Sequence, residues 1–400
     1  MKGWCSVMVM VLNLSCAEEI HEKKLEVTPI ESPCGEHSSL PYLFSNSGKT
    51  SLSWVEEQKD GRTFFRYAEF QDGTWQKPYD IANGTDWFVN WADFPAFVEN
   101  EGNFFSHILK KSAEDTYSYD IKMNLKPKGM DWQIGLPLHD DGTPTEHGFV
   151  TALPYHNASF FVTWLDGRNT VEKEGQRGPM SIRAAVVASD GTITNENLLD
   201  PRTCDCCQTG AAITANGPIV VYRDRSEDEV RDISIVRKLN GKWTAPKSVY
   251  HDNWKINGCP VNGPKAVALG NTLAVAWFTE AGKRPTVKLA FSDNGGNTFQ
   301  EPISMGTSSV IGRVDAVLLD AQTVLVSYVE REGEKAYLKV VKATAEGRLS
   351  PPETITEINS SRQSGFPQME HSGKSVLFAW TEVSETMTQV KTVSVLTKSL

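Results

Sequence analysis

Seven apolar stretches recur along this 400-residue chain: "TSLSWVEE", "NFFSHILK", "SFFVTWLD", "PIVVYRDR", "TLAVAWFT", "TVLVSYVE" and "SVLFAWTE". Each is rich in β-branched or aromatic residues and ends on a ring followed by polar positions, the pattern of a buried strand leaving a core. The ring residues are Trp54, His107, Trp164, Tyr222, Trp277, Tyr328 and Trp380, about 51 to 58 residues apart, a spacing that suits propeller blades. Tandem sheets around one axis are therefore expected in place of the two or three domains that length alone suggests.

Each repeat keeps one internal order. A short strand with a turn signal ("DFPAFVE", "HGFVTAL", "GAAITA", "GPKAVAL", "RVDAVLL", "GFPQMEH") precedes the apolar stretch. A third, alternating strand follows it, and then a Gly-bearing turn into a fourth ("GTWQKPYDIA", "GKWTAPKSVY", "GNTFQEPISM"). Four antiparallel strands make a blade. The chain reads as all-β, a β-propeller of four-stranded antiparallel blades over residues 33–400, seven by the repeat count and six as the alternative. The last repeat stops after three strands, and "KKLEVTPIES" near the start supplies a spare strand that closes the ring and removes an exposed edge. Residues 16–32 are thus a tether and closing strand.

The turn Ser292–Phe299, "SDNGGNTF", resembles the Asp box of sialidases, with Ser292, Asn294, Gly296, Thr298 and Phe299 at the matching positions. Degenerate versions stand at "QDGTWQKP" and "LNGKWTAP". The resemblance implies a sialidase-like propeller, six-bladed in known sialidases, with the box as a folding device on the face away from the active site. It also implies a clamp of three arginines on a sugar carboxylate, since a planar guanidinium matches a carboxylate bidentately, together with an acid/base carboxyl and a Tyr nucleophile activated by Glu. The family's early Arg-Ile-Pro motif is missing, because Leu40 precedes Pro41 in "SSLPYLF". Arg313 and Arg362 stand where two clamp members could serve, with Arg168 or Arg223 as a third.

Function is sought where the loops entering the innermost strands converge. "NWADFP", "PTEHGF", "CDCCQTG", "NGCPVNGP", "IGRVDA" and "RQSGFP" bring Asp93, Glu146, His147, Arg313, Asp315 and Arg362 to one funnel. The second-to-third strand loops add Asp166, Arg168, Arg223 and Asp224. Asp93 is the best acid/base candidate by position, followed by Asp166 and Asp315. Trp91 is a platform for a sugar face, and His147 is a further binding candidate. Arg168 pairing with Asp166 to shape its own turn is the competing reading. No tyrosine–glutamate pair is assigned, and Tyr222 and Tyr328 are expected in the core.

The start, "MKGWCSVMVMVLNLSC", combines Lys2, an apolar run from Val7 to Leu12 and a small residue before Cys16. It is too short for a membrane span and resembles a lipoprotein signal over residues 1–15, with lipid attached at Cys16. An exported chain, lipid-anchored to a bacterial membrane, is the expectation. Of seven cysteines, Cys5 and Cys16 belong to the leader, leaving Cys34, Cys204, Cys206, Cys207 and Cys259 in an oxidising compartment. Three readings stand for the cluster: Cys204–Cys259 and Cys206–Cys207 disulfides that stiffen loops, a copper or zinc site using Cys204, Cys206, Cys207 and Cys259 with His37 or His147, or a catalytic thiol. No obligatory cofactor is expected. The net charge of −10 argues against nucleic acid. The preferred reading is a monomeric carbohydrate-binding or carbohydrate-processing propeller, a glycoside hydrolase of sialidase-like type if an enzyme. A partner-binding propeller and a periplasmic metal-handling protein are the alternatives.

Overall fold

The computed structural model describes residues 25–173 and 175–400; the expected signal over 1–15 and lipidation at Cys16 lie outside the described residues. Among those residues the chain forms seven antiparallel sheets and one two-stranded hairpin. The innermost strands are Ser38–Asn46, Phe97–Asn100, His147–Tyr155, Gly210–Thr214, Lys265–Leu269, Val310–Leu318 and Gln368–Ser372. Each packs against the innermost strand of the next sheet, and the last packs against the first, so the sheets are the blades of a closed seven-bladed propeller.

The seven ring residues all fall in second strands, at most 5% exposed. A second strand is flanked by strands on both edges and by neighbouring blades on both faces, which is why its sequence is nearly all apolar. Polar atoms on such rings need partners, and several are met by carboxylates. Trp54, Trp164 and Trp380 each donate to the acid two residues on, Glu56 at 3.3 Å, Asp166 at 3.0 Å and Glu382 at 2.9 Å. Trp277 donates to Asp252 at 2.7 Å and Tyr222 to Asp200 at 2.6 Å.

Closure follows the expected route. Val27–Ile30 joins the seventh blade, pairing antiparallel with Thr392–Val395 so that Val27 faces Val395 and Ile30 faces Thr392. The Asp-box turn also behaves as a local device: Ser292 Oγ accepts the Gly296 N–H at 2.9 Å, and Asn294 Oδ1 accepts the Thr298 N–H at 3.0 Å. Gly296 sits at φ 81, a conformation that suits glycine. In the first and fourth blades the fourth strand is split, Thr74–Trp75 with Tyr79–Gly84 and Lys242–Trp243 with Lys247–Ser248. A proline lies in each gap, where it has no N–H to give a ladder.

Candidate functional site at the mouth of the propeller

Three innermost strands, in the first, third and sixth blades, carry a bulge at their mouth end, where the register shifts across Ser39/Tyr42, Gly148/Thr151 and Gly312/Asp315. At equivalent places stand Leu40 (φ 56), Phe149 (φ 53) and Arg313 (φ 56), all with left-handed backbone despite having side chains. Bulges bend a strand and re-aim its side chains, and such strain persists only where the surroundings impose it. The sialidase position occupied here by Leu40 is therefore a built bulge whose residue is buried in apolar company with Val55 and Phe65.

Side chains of the fourth entry loop stitch the mouth together. Gln208 donates to the Ala92 carbonyl at 2.7 Å and accepts the Gly263 N–H at 3.0 Å, tying the second, fourth and fifth entry loops. Thr209 Oγ1 donates to the Phe149 carbonyl at 2.8 Å. A side chain at Gly263 would place its Cβ 1.9 Å from the Gln208 carbonyl, so this approach is open to glycine alone. Neither Gln208 nor Thr209 was singled out from sequence, where they read as the tail of the cysteine cluster.

Asp93 lines the axial cavity, whose volume is about 490 Å³. Its Oδ1 accepts the Phe149 N–H of the next blade at 2.8 Å, while Oδ2 is buried without a hydrogen-bond partner. Burial holds this carboxyl well above the usual carboxylate range; the Phe149 N–H works against the shift and the charge of Glu146 adds to it. Beside Asp93, Trp91 is half-buried and stacks on Phe366 at 5.8 Å with planes 13° apart. The guanidiniums of Arg313 and Arg362 each lie 5.8 Å from the Trp91 ring, and Cys206 packs into the same apolar cluster. Trp91 and Asp93 of the second blade's entry loop thus meet Cys206, Arg313 and Arg362, which lie far from them in sequence, at one mouth.

The structure also contains a tyrosine–glutamate pair that the sequence did not reveal. Tyr119, the first residue of the third strand in the second blade, donates to Glu146 Oε1 at 2.7 Å, and both are buried. A β-carbon placed on Gly148 would lie 2.0 Å from Asp93 Oδ2 and 3.2 Å from Tyr119 Cε2, which sets the pair close behind Asp93. Burial pushes Glu146 up to about 7, with Asp205 adding to the shift and the Tyr119 hydroxyl opposing it. A free glutamate ionises near 4.5, so between that pH and about 7 the unfolded chain has lost a proton that the folded chain keeps. Stability conferred by this group is present below the lower value and is lost as pH rises to the upper one, at up to about 1.4 kcal/mol per pH unit. Glu146→Gln keeps an acceptor for Tyr119 and is expected to flatten this component. Urea unfolding of both proteins at pH 5 and pH 7.5 checks it.

Most of the expected arginines have their donors engaged. Arg223 donates to the carbonyls of Asn262, Arg231 and Phe278 at 2.7 to 2.9 Å and lies 4.8 Å from the Trp254 ring. Arg313 donates to Ser364 Oγ at 2.5 Å and to the Ser361 carbonyl at 2.8 Å. Arg168 forms a two-point bridge with Asp166, 2.7 Å at both contacts, as the turn-shaping reading foresaw. Only Arg362, of the four, stands exposed on the rim.

No family model and no curated protein matches this sequence. The likeness is to solved structures. An ulvan lyase from a new family of polysaccharide lyase, bound to -[GlcA(1-4)Rha3S]-, superposes with TM-score 0.55 at 11% identity, covering 93% of this chain and 95% of that one. The phage phi92 endosialidase gives 0.51 at 8% identity over 93% of this chain and 69% of its own. The Hadza microbial sialidase Hz136 gives 0.47 at 12% identity over 73% of this chain, which spans 63% of that sialidase's length. The fold is that of a sialidase-like propeller.

In this sialidase-like propeller the three-arginine clamp is not assembled, because Arg223 and Arg313 are turned into the framework and Arg168 is held by Asp166. Asp166 itself is fully buried and belongs to a knot between the second and third blades. There the His139 and His147 rings stack at 3.9 Å, and Asp141 Oδ2 lies 2.8 Å from His139 Nδ1 and 3.2 Å from His147 Nε2. Arg168 occupies the cationic place in that knot. His147 is therefore fully buried in this knot, and its ring nitrogens are grouped with Asp141 and Asp166 rather than with the cysteine sulfurs. Asp315 does line the cavity, but it is paired with Lys265 at 2.8 Å and accepts the Met369 N–H at 2.7 Å. Like Asp93, it links its blade to the next. The described cysteines are unpaired: the closest sulfurs are those of Cys204 and Cys207, 3.0 Å apart, with Cys206 4.0 Å from Cys204 and Cys259 a neighbour of Cys206.

Proposed function

We propose that the protein binds and processes an acidic polysaccharide at the mouth of the propeller. The observation that carries the proposal is Trp91: a half-exposed indole stacked on Phe366, with the free guanidinium of Arg362 beside it and the Asp93 carboxyl two residues further on inside the cavity. An aromatic face takes the apolar face of a sugar ring, and a guanidinium takes a carboxylate or sulfate. A carboxyl kept in its acid form by burial donates a proton to a leaving oxygen. Structures of the same fold act on acidic glycans by their own descriptions, as lyase and as endosialidase.

The reading is tested by calorimetry of the full chain against uronate-bearing, sulfated and sialylated polysaccharides, with product release followed in parallel. Binding of at least one acidic glycan is expected. Trp91→Ala should weaken it about tenfold or more, since each 1.4 kcal/mol is tenfold in affinity, and Arg362→Ala should weaken acidic glycans more than neutral ones. Failure of every glycan to bind would overturn the reading.

A further inference from the structure

The mouth carries a second constellation that glycan recognition does not use. The loop entering the fourth blade gathers the sulfurs of Cys204, Cys206 and Cys207 within 4.8 Å of one another. Cys204 Sγ lies 4.0 Å from Cys206 Sγ and 3.0 Å from Cys207 Sγ. Cys259, from the loop entering the fifth blade, is a neighbour of Cys206 but lies outside that three-sulfur group, so it has to close in to complete a site. Cys204 and Cys207 are buried, Cys206 is half-buried and Cys259 is exposed, so the cluster is lined by protein and open at one corner. Cys34 is buried elsewhere, in the apolar cluster between the first and seventh blades, which accounts for the odd count of five.

Both signs of charge surround these sulfurs: Asp205 and Glu146 stand near Cys204, and two buried guanidiniums flank the cluster. Arg231, 2% exposed, points Nη1 at Cys204 Sγ from 3.3 Å, while its Nη2 is held by Glu229 at 2.8 Å. Arg223, also 2% exposed, holds the loop entering the fifth blade through the Asn262 carbonyl, its guanidinium meeting backbone carbonyls rather than a carboxylate, while its own carbonyl accepts the Cys204 N–H at 3.0 Å. Burying a guanidinium with no anion beside it is costly. Glu229 takes one end of the Arg231 guanidinium, and its other end donates to the Cys204 sulfur, a contact that favours a thiolate there, the form that ligates metal.

We propose that Cys204, Cys206, Cys207 and Cys259 bind one soft cation, copper(I) or zinc(II), as a thiolate site on the rim of the mouth. Metal–sulfur bonds of about 2.3 Å in a tetrahedron set the sulfurs roughly 3.8 Å apart. The Cys204–Cys206 separation of 4.0 Å is close to that, and Cys207 has to swing outward from Cys204. The Arg231 N–H orients the Cys204 sulfur in the way outer-shell donors orient metal ligands. Each ligating thiol releases its proton to solvent as its metal–sulfur bond forms, with no change in oxidation state, so binding weakens as pH falls.

The test uses the full chain purified without oxygen or chelator. Its metal content is measured, and it is then titrated with zinc(II) and with copper(I) held in a bicinchoninate buffer. One equivalent of one ion per chain is expected, bound more tightly than roughly micromolar, and the two titrations show which ion is preferred. Cys259→Ser, at an exposed position that leaves the fold intact, should lower affinity at least tenfold, Cys206→Ser likewise, and Cys34→Ser not at all. The proposal is overturned if neither ion binds. It is also overturned if peptide mapping without reductant finds Cys204 joined to Cys207, or Cys206 joined to Cys259, throughout the anaerobic protein.

Discussion

Asp93→Asn is expected to lower turnover of an acidic glycan by about 10²- to 10⁴-fold, the usual contribution of a positioned proton donor, while leaving affinity within a few-fold and the fold intact. The substitution is nearly isosteric. The Asn oxygen still accepts the Phe149 N–H that Asp93 Oδ1 accepts at 2.8 Å, so the second and third blades stay joined. The change removes the proton that burial keeps on this carboxyl, which an amide cannot supply. Stability should be equal to or above that of the parent at alkaline pH, where the parent is pressed to bury a charge. Steady-state turnover, calorimetric affinity and a urea curve separate these outcomes. Unchanged turnover in the variant would remove Asp93 from the chemistry, and a loss of affinity equal to the loss of turnover would make it a binding residue.

Arg223→Met is expected to give the largest loss of stability, roughly 3–5 kcal/mol, as for a buried charged group whose partners are left behind. Methionine follows the aliphatic stem and fills similar space, so the effect isolates the guanidinium. Without it, the carbonyls of Asn262, Arg231 and Phe278, which come from the fourth and fifth blades, lose a shared donor. Arg223→Lys should recover only part of the loss, because a compact ammonium cannot reach the same carbonyls from one plane. The urea midpoint at constant slope measures both. A loss under about 1 kcal/mol, the usual scale of a surface substitution, would show that water replaces the guanidinium.

The blades were legible in the sequence because second strands are covered on every side and have no choice but to be apolar. Trp54, Trp164 and Trp277 mark them at a near-constant interval, and the missing strand of the last repeat pointed to the spare one at Val27–Ile30. Loops offer no such periodicity. Arg223, Arg313 and Arg362 look alike in sequence, yet the first two direct their donors at backbone carbonyls and the third stands on the rim, a difference set by geometry that sequence does not encode locally. Tyr119 escaped notice because it begins an ordinary alternating strand, and its partner Glu146 belongs to another blade. Gln208 reads as an unremarkable polar residue, although it joins three loops. The cysteines are conspicuous in the sequence, but which sulfur faces which depends on how two entry loops turn toward each other.

The strand that closes the ring also fixes how the disc can be hung. Val27 lies opposite Val395, at the end of the seventh blade that carries the Asp-box side of the molecule, and the chain climbs from there past Ile30 toward the entry loops. The described chain therefore enters the ring from the face opposite the entry loops, so that the strand closing the ring leaves the opening clear.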